Sequence, residues 1–179
     1  AHHRRIQAGI LSWGQDLDHE HNPFQCNLGY QVSLSGKGEW AKKGDYIGKQ
    51  ALEKMKADLK DGHKPYKLQL VGFEIGGKPI DEYAPDFWLV SPGDGGDPCG
   101  FITSPWYHPE KGKNIAMGYI PFDGTLNPNG FPKWELGKKF KVHLPDIYAD
   151  EPGVPVDAVT VDVPFTESFN ANTREVVKG

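Results

Sequence analysis

Residues 67–77 read KLQLVGFEIGG, an apolar segment that closes on a Gly-Gly turn and predicts a β-strand over Lys67–Ile75. Further segments of this kind, separated by turn residues, follow at Phe87–Val90, Gly100–Ser104, Ile115–Ile120, Phe140–Leu144 and Val154–Phe165. In the last segment the apolar alternation changes phase at Ala158–Val159, which indicates a β-bulge or a bend. Six short strands with turns and no helix between them predict a small antiparallel barrel or sandwich.

The sequence before these strands has a helical pattern instead. Apolar residues recur at three- and four-residue steps over Tyr46–Lys60, which predicts an amphipathic helix. Asp45 stands where its N-cap belongs and Gly62 where its C-terminal stop belongs. A shorter helix is predicted over Arg4–Trp13, and alternating apolar residues predict a strand over Tyr30–Leu34.

These patterns divide the chain into three parts. Residues 1–65 form a mixed α/β segment, residues 66–168 an all-β module, and residues 169–179 a tail without clear periodicity. The expected fold class is therefore α+β. Two long loops, Ser91–Pro98 and Asp123–Pro132, interrupt the β-module, and loops of this kind carry function more often than strands do.

The composition argues against several classes of partner. The formal net charge is −4 and the sequence pI is about 6.0, without a basic stripe, so nucleic acid is not expected as a partner. No apolar run approaches the roughly 18 residues of a membrane span. Cys26 and Cys99 form no CxxC pair, and two reduced thiols in the cytoplasm are a simpler expectation than a disulfide.

Three groups of residues have the chemistry of a ligand site. The stretch Asp16–His21 is rich in metal-ligand types, but it has no Cys or distant His at ligand spacing, so a solvated connector is favoured over a metal site. Arg4 and Arg5 lie near Trp13, where guanidinium and indole suit an anionic, flat ligand, although surface arginines beside a core Trp are the simpler interpretation. Trp106–His108 predicts a rigid lid or a packed turn.

Five blocks of the sequence resemble, in family order, motifs of the glycine cleavage T-protein (aminomethyltransferase) family. Residues 4–16, RRIQAGILSWGQD, are similar to LRxEAGxxLYGxD, and residues 46–52, YIGKQAL, are similar to FIGKEAL. Residues 22–32, NPFQCNLGYQV, are similar to TPxEAGLGWxV, and residues 113–121, KNIAMGYIP, end a block similar to NIAMGYVP. Residues 163–165, VPF, are similar to the closing MPFV.

The resemblance implies that this chain is the C-terminal portion of such an enzyme. Residues 1–65 would end a folate-binding mixed α/β domain, and residues 66–168 would form the C-terminal β-barrel. The implied cofactor is tetrahydrofolate, with Arg5 on the folate side and Trp13 where a folate-lining Tyr usually stands. The family's catalytic Asp lies in an N-terminal portion that this sequence lacks, so no catalytic residue is assigned, no metal is expected, and the missing portion is the expected partner.

Departures from the family pattern point to one branch of it. Gln7 replaces the usual Glu, and Pro79–Asp81 stands where an Arg for the folate tail is often found. The combination of RRIxxGILSWG with NPFxC is more similar to the folate-dependent demethylases, such as dimethylsulfoniopropionate demethylase. The leading expectation is therefore methyl transfer from a small heteroatom-methylated donor to tetrahydrofolate. The alternatives are aminomethyl transfer in glycine cleavage and a non-catalytic folate-binding or interaction module.

Overall fold

The computed structural model describes residues 2–32, 34 and 44–165, and the predicted tail lies outside this part of the chain. The chain folds into two compact units. Unit 1 contains residues 1–18, 70–120 and 135–179, and unit 2 contains residues 19–69 and 121–134. The domain limits expected at residues 65 and 168 stay predictions.

A closed six-stranded barrel dominates unit 1, in the strand order β1-β4-β3-β2-β5-β6. The neighbouring pairs β1–β6, β2–β3, β2–β5, β3–β4 and β5–β6 are antiparallel. The small antiparallel barrel within an α+β chain is therefore confirmed. The strands are β1 (Leu68–Ile75), β2 (Trp88–Pro92), β3 (Gly100–His108), β4 (Lys113–Pro121), β5 (Lys139–Val142) and β6 (Val156–Val161).

The barrel core explains why these segments are so apolar. In β4 the seven residues 114–120 are all buried, so both faces of this strand are covered. Val71 and Phe73 of β1 are fully buried, and the ring of Phe73 meets that of Phe140 edge to face at 5.9 Å.

Two details of the strands differ from the sequence prediction. β3 continues to His108, so Trp106–His108 is part of a strand paired with β4 and not a lid or a turn. The predicted bulge at Ala158–Val159 is wrong, because β6 keeps an unbroken register with both of its neighbours. The register shift of the barrel lies instead between Ile102 and Ser104 of β3.

The first helix is shorter than predicted. α1 covers His2–Gln7, and Ile6 on it is buried. The chain turns at Gly9, whose φ of +67° lies in the left-handed region that glycine favours. A Cβ at this position would also meet Val163, so the helix ends here and does not reach Trp13.

Unit 2 is built around α2, which covers Lys49–Lys60. Its N-cap is Gly48 and not Asp45, while the predicted stop at Gly62 is confirmed by a φ of +83°. The small core of the unit contains Phe24, Leu59 and Phe122, surrounded by partly buried apolar residues: Leu34, Leu52, Met55, Tyr66, Leu126 and Phe131.

The strand predicted over Tyr30–Leu34 is wrong for the residues that the structure describes there. Gly29–Gln31 forms a short 3-10 turn, and Val32 and Leu34 lie outside helix and strand. Asn27, just before this turn, adopts a φ of 61°, and asparagine is one of the few residues that tolerates the left-handed region. Of the alternating apolar residues, Leu34 packs against the core of unit 2, whereas Tyr30 is 72% exposed.

Both cysteines are present as thiols, with Cys26 buried and Cys99 half-buried. Among the residues that the structure describes, no helix has both the length and the apolar character needed to cross a membrane.

Candidate functional site

The loop after α1 contains a buried carboxylate, that of Asp16, which accepts four hydrogen bonds. Its side chain is 0% exposed. Its Oδ2 accepts hydrogen bonds from Nη1 of Arg5 and from the backbone N–H of Ser12, both at 2.8 Å. Its Oδ1 accepts from the hydroxyls of Thr103 at 2.5 Å and Ser104 at 2.6 Å. The solvated connector predicted for this stretch is therefore wrong at Asp16, because four protein donors replace water around the charge.

The irregularity in β3 explains how two successive hydroxyls reach the same carboxylate oxygen. In a regular strand, neighbouring side chains point to opposite faces of the sheet. The register shift between Ile102 and Ser104 breaks that alternation, and a bulge of this kind re-aims a side chain. Thr103 and Ser104 can therefore both donate to Asp16, while Thr103 also donates to the carbonyl of Met117 on β4 at 3.1 Å.

Arg5 lies beside this carboxylate, and its guanidinium is used by protein acceptors. Besides Asp16, Nη1 donates to the carbonyl of Ile10 at 3.3 Å, and Nη2 donates to Oε1 of Gln15 at 3.2 Å and to the hydroxyl of Ser104 at 2.9 Å. The Arg5 side chain is 16% exposed, so its charge is largely compensated inside unit 1. Its predicted role in folate binding stays a prediction.

Trp13 occupies the tip of the same loop and is 70% exposed. The loop is closed on both sides of it: Gly14 forms a bridge through its N–H to the carbonyl of Leu17 at 2.8 Å, and the N–H of Asp16 donates to the carbonyl of Ser12 at 2.8 Å. The indole is thus presented to solvent by a well-bonded backbone, and it is not the core Trp of the simpler interpretation. The hydrogen bonds and ring contacts of the described residues do not join Trp13 to Arg5 directly.

The remaining candidate residues lie apart from this network. Arg4 is exposed on α1. In the described part of the chain, no group of three or more His, Cys, Asp or Glu side chains is placed to hold a metal ion, and this includes the stretch Asp16–His21. A cavity of about 300 Å³ lies within unit 2, and its lining includes Tyr30 and Phe131.

A pair of histidines connects α1 to β3. The rings of His3 and His108 meet edge to face with their centroids 5.8 Å apart. His108 is buried, and neither of its ring nitrogens has a hydrogen-bond partner. Burial lowers the pKa of His108 below its usual 6.5, and this effect outweighs the opposing charge of Glu110. His108 is therefore held in its neutral form.

Comparison with known proteins places this geometry in a family context. No family model matches the chain. The aminomethyltransferase of Synechocystis sp. (strain ATCC 27184 / PCC 6803 / Kazusa) is 32% identical over 117 residues, which are 65% of this chain and 27% of the relative. That of Thermosynechococcus vestitus (strain NIES-2133 / IAM M-273 / BP-1) is 29% identical over 162 residues, which are 90% of this chain and 35% of the relative.

A solved structure shows the same architecture. The glycine cleavage system aminomethyltransferase T from Bartonella henselae superposes with a TM-score of 0.61 at 20% identity, over 91% of this chain and 37% of that one. The chain has the fold of part of an aminomethyltransferase. It spans about a quarter to a third of the length of the curated aminomethyltransferases it matches. The similarity therefore does not show that this chain has their complete activity.

Asp16, Thr103 and Ser104 are residues of the site that the sequence does not predict. All three nevertheless stand in family-like segments, since Asp16 closes the first aminomethyltransferase-like block and Thr103-Ser104 opens the block that ends at Pro121. Thr103 lies 87 residues after Asp16 in the sequence, and a bulge in β3 is needed to bring its hydroxyl to the carboxylate. A local sequence pattern cannot predict a contact of this kind.

Proposed function

We propose that this chain is part of a tetrahydrofolate-dependent one-carbon transferase, and that the transferred group is an aminomethyl group. The relatives support this proposal, because the similar curated proteins and the similar solved structure are named aminomethyltransferases. The single structural observation that carries it is Trp13, an indole that is 70% exposed on a loop fixed by a buried carboxylate. A rigid exposed ring of this kind is suited to stack on a flat heteroaromatic group.

The residues of this chain fit one part of tetrahydrofolate better than the other. Trp13 offers an exposed flat face to the pterin or benzoyl ring. Arg5, whose guanidinium already bonds to Asp16 and Ser104, offers little free charge to the anionic tail. Trp13 is therefore the residue proposed to contact tetrahydrofolate. Arg5 is proposed to support the site by stabilising the loop that carries Trp13.

Tetrahydrofolate, when bound, supplies the amine that accepts the one-carbon unit. The part proposed for this chain is to orient that carrier and to limit the access of water to it, which lowers the entropic cost of the transfer. The acid or base of the reaction is proposed to come from polypeptide beyond these residues, consistent with the share of the relatives that the chain covers. The cytoplasm remains the proposed location.

The second candidate function is methyl transfer of the demethylase type. It is favoured by the departures from the family pattern, namely Gln7, Trp13 and the missing Arg at Pro79–Asp81. The donor would then be a small heteroatom-methylated molecule rather than a lipoyl carrier protein that bears an aminomethyl group.

An assay of the folate product separates these functions. The full-length protein is incubated with tetrahydrofolate and either an aminomethylated lipoyl carrier or a panel of small methyl donors, and the folates are analysed by mass spectrometry. We expect methylenetetrahydrofolate and ammonia from the carrier. Methyltetrahydrofolate from a small donor would replace the first candidate by the second, and folate binding without either product would replace both by a non-catalytic module.

A further inference from the structure

We infer that Asp16 is a positioning residue for Trp13, and that Arg5 serves the site by acting on Asp16 and not by touching the cofactor. This inference rests on the proposed function, since it concerns the platform on which tetrahydrofolate is proposed to stack.

The loop around Trp13 is closed by hydrogen bonds between Ser12 and Asp16. The carboxylate of Asp16 accepts from the N–H of Ser12 at 2.8 Å, and the N–H of Asp16 donates to the carbonyl of Ser12 at 2.8 Å. Ser12 and Asp16 are therefore joined by two hydrogen bonds, one that uses the side chain of Asp16 and one between their backbones. Trp13 lies between them in sequence, so its backbone direction depends on this closure.

The closed loop is attached to the barrel by hydrogen bonds to Asp16. Asp16 is tied to β3 by the hydroxyls of Thr103 and Ser104, and to β4 by the hydroxyl of Tyr119, which donates to its backbone carbonyl at 2.6 Å. These contacts fix the base of the loop to two neighbouring strands. Side chains held by packing and hydrogen bonds in this way provide the support that a preorganised binding residue needs.

The charge of Asp16 is compensated by Arg5. A carboxylate with no exposed surface is stable only where it is paired and hydrogen-bonded, and Arg5 supplies the opposite charge at 2.8 Å. Arg5 also binds the carbonyl of Ile10, at the start of the loop, and Gln15 near its end. The guanidinium therefore spans the loop from one side to the other, and losing it would release the same segment that Asp16 holds.

The buried base of the loop contrasts with its exposed tip. Trp13 is 70% exposed and Ile10 is 59% exposed, although the loop that carries them is supported by an ion pair whose carboxylate is fully buried. Folding alone gains little from presenting an indole to water. A ligand that stacks on the indole gains from the fixed loop, because less conformational freedom is lost on binding.

A double-mutant cycle tests the inference on the full-length protein. The dissociation constant for tetrahydrofolate is measured for the wild type, Asp16→Asn, Trp13→Ala and the double variant, at a temperature where circular dichroism shows all four folded. We expect Asp16→Asn to weaken binding about tenfold or more, as small misplacements of a binding group do. In the Trp13→Ala background the same change should weaken binding by less than about twofold, because coupled residues give non-additive effects.

Two further variants keep the test decisive. If Asp16→Asn does not fold, Ser104→Ala removes one hydroxyl from the network and should give a smaller loss that also disappears without Trp13. Asn114→Ala is the matched control, because Asn114 is buried in unit 1 and ties the Gly76–Ile80 turn to β4, away from this network. It should leave the affinity for tetrahydrofolate within about twofold of the wild type.

The outcomes separate the inference from the proposed function. Additive losses in the cycle, or an Asp16→Asn protein with unchanged affinity, would overturn the inference while the proposed function stands. A loss for Asn114→Ala equal to that for Asp16→Asn would also overturn it, since the effect would then be general destabilisation. A wild-type protein that does not bind tetrahydrofolate would instead overturn the proposed function.

Discussion

The carboxylate of Asp16 has no contact with solvent, and the groups around it show how unit 1 stabilises its charge. Four donors, one of them the guanidinium of Arg5, surround its two oxygens, so that both the desolvation and the missing hydrogen bonds of water are compensated. Removal of one partner from such a pair is costly, because the other charge is then left without compensation.

Asp16→Ala is therefore expected to lower the free energy of unfolding by about 3–5 kcal/mol. The matched control is Asp157→Ala, because Asp157 also pairs with a cation, Lys141, at 2.7 Å, but its side chain is 86% exposed. That exposed pair should contribute nothing measurable. Urea unfolding of the chain followed by circular dichroism gives both values, and similar losses for the two variants would contradict this account of Asp16.

At the same scale, the chemical character of a residue can be predicted from the sequence better than the identity of the residues that it contacts. The sequence predicts a ligand-binding role for the indole of Trp13 and the guanidinium of Arg5, and this role stays a prediction. The resemblance of the block around them to aminomethyltransferases was visible in the sequence. The burial of Asp16 was not, because the residues around it in sequence are polar and its donors Thr103 and Ser104 come from a distant strand. Burial of a charge is decided by tertiary contacts, which sequence periodicity does not contain.

At the scale of elements, the contact between α1 and β3 contains a pH-sensitive residue, His108. His108 on β3 meets His3 on α1, with Glu110 and Lys111 as the other charged groups that act on it. Burial lowers the pKa of His108, so the unfolded chain binds its proton more readily than the folded chain does. The resulting stability is complete above the usual pKa of 6.5 and is lost as the pH falls through the lowered pKa of the folded state.

The free energy of unfolding should therefore fall when the pH is lowered from about 7.5 to about 5, and His108→Phe should reduce that fall. Phenylalanine fills a similar volume and cannot titrate. Urea unfolding of both proteins at both pH values isolates the contribution of His108 from that of the acidic residues, which both proteins share. An identical fall in the two proteins would show that His108 does not carry this dependence.

The close approach of β3 and β4 gives a second prediction at this scale. A Cβ at Gly100 would overlap the backbone carbonyl oxygen of Tyr119, which cannot move without breaking the strand pair. At Gly76 a Cβ would stand 3.3 Å from the carbonyl oxygen of Asp157, a tight but tolerable contact. Gly100→Ala should therefore cost at least the roughly 1–3 kcal/mol of an overpacked site, and Gly76→Ala clearly less.

The urea midpoints of the two glycine variants, measured side by side, check this order. Equal midpoints would mean that β3 and β4 separate easily at Gly100, contrary to the packing of the barrel.

Helices and strands were predicted best where one apolar face, or a run of residues buried on both faces, determines the secondary structure. The stripe of α2 and the apolar runs of β1 and β4 are such cases, and their positions were predicted within a few residues. The predictions were wrong where backbone geometry decides, since α1 stops at Gly9 and the bulge lies in β3 rather than β6. A glycine in the left-handed region or a shifted register changes the chain direction without changing the hydrophobic pattern.

At the scale of the molecule, the fold and the sequence similarity both point to one-carbon transfer, while the chain spans only about a quarter to a third of the relatives it matches. The barrel is shared with a solved aminomethyltransferase, and the site proposed here lies on a loop attached to it. Folds of one kind can serve different reactions, so it is Trp13 and its support, and not the barrel, that favour folate as the ligand.

The central claim is that Trp13 forms part of a tetrahydrofolate site, and isothermal titration of tetrahydrofolate into the full-length protein tests it most directly. Trp13→Ala is compared with Tyr30→Ala, since Tyr30 is an aromatic residue of similar exposure, 72%, in unit 2. We predict that loss of the indole weakens binding by about tenfold or more, in the range that aromatic stacking contributes, and that loss of Tyr30 changes it little. Equal affinities of the wild type and Trp13→Ala would contradict the account.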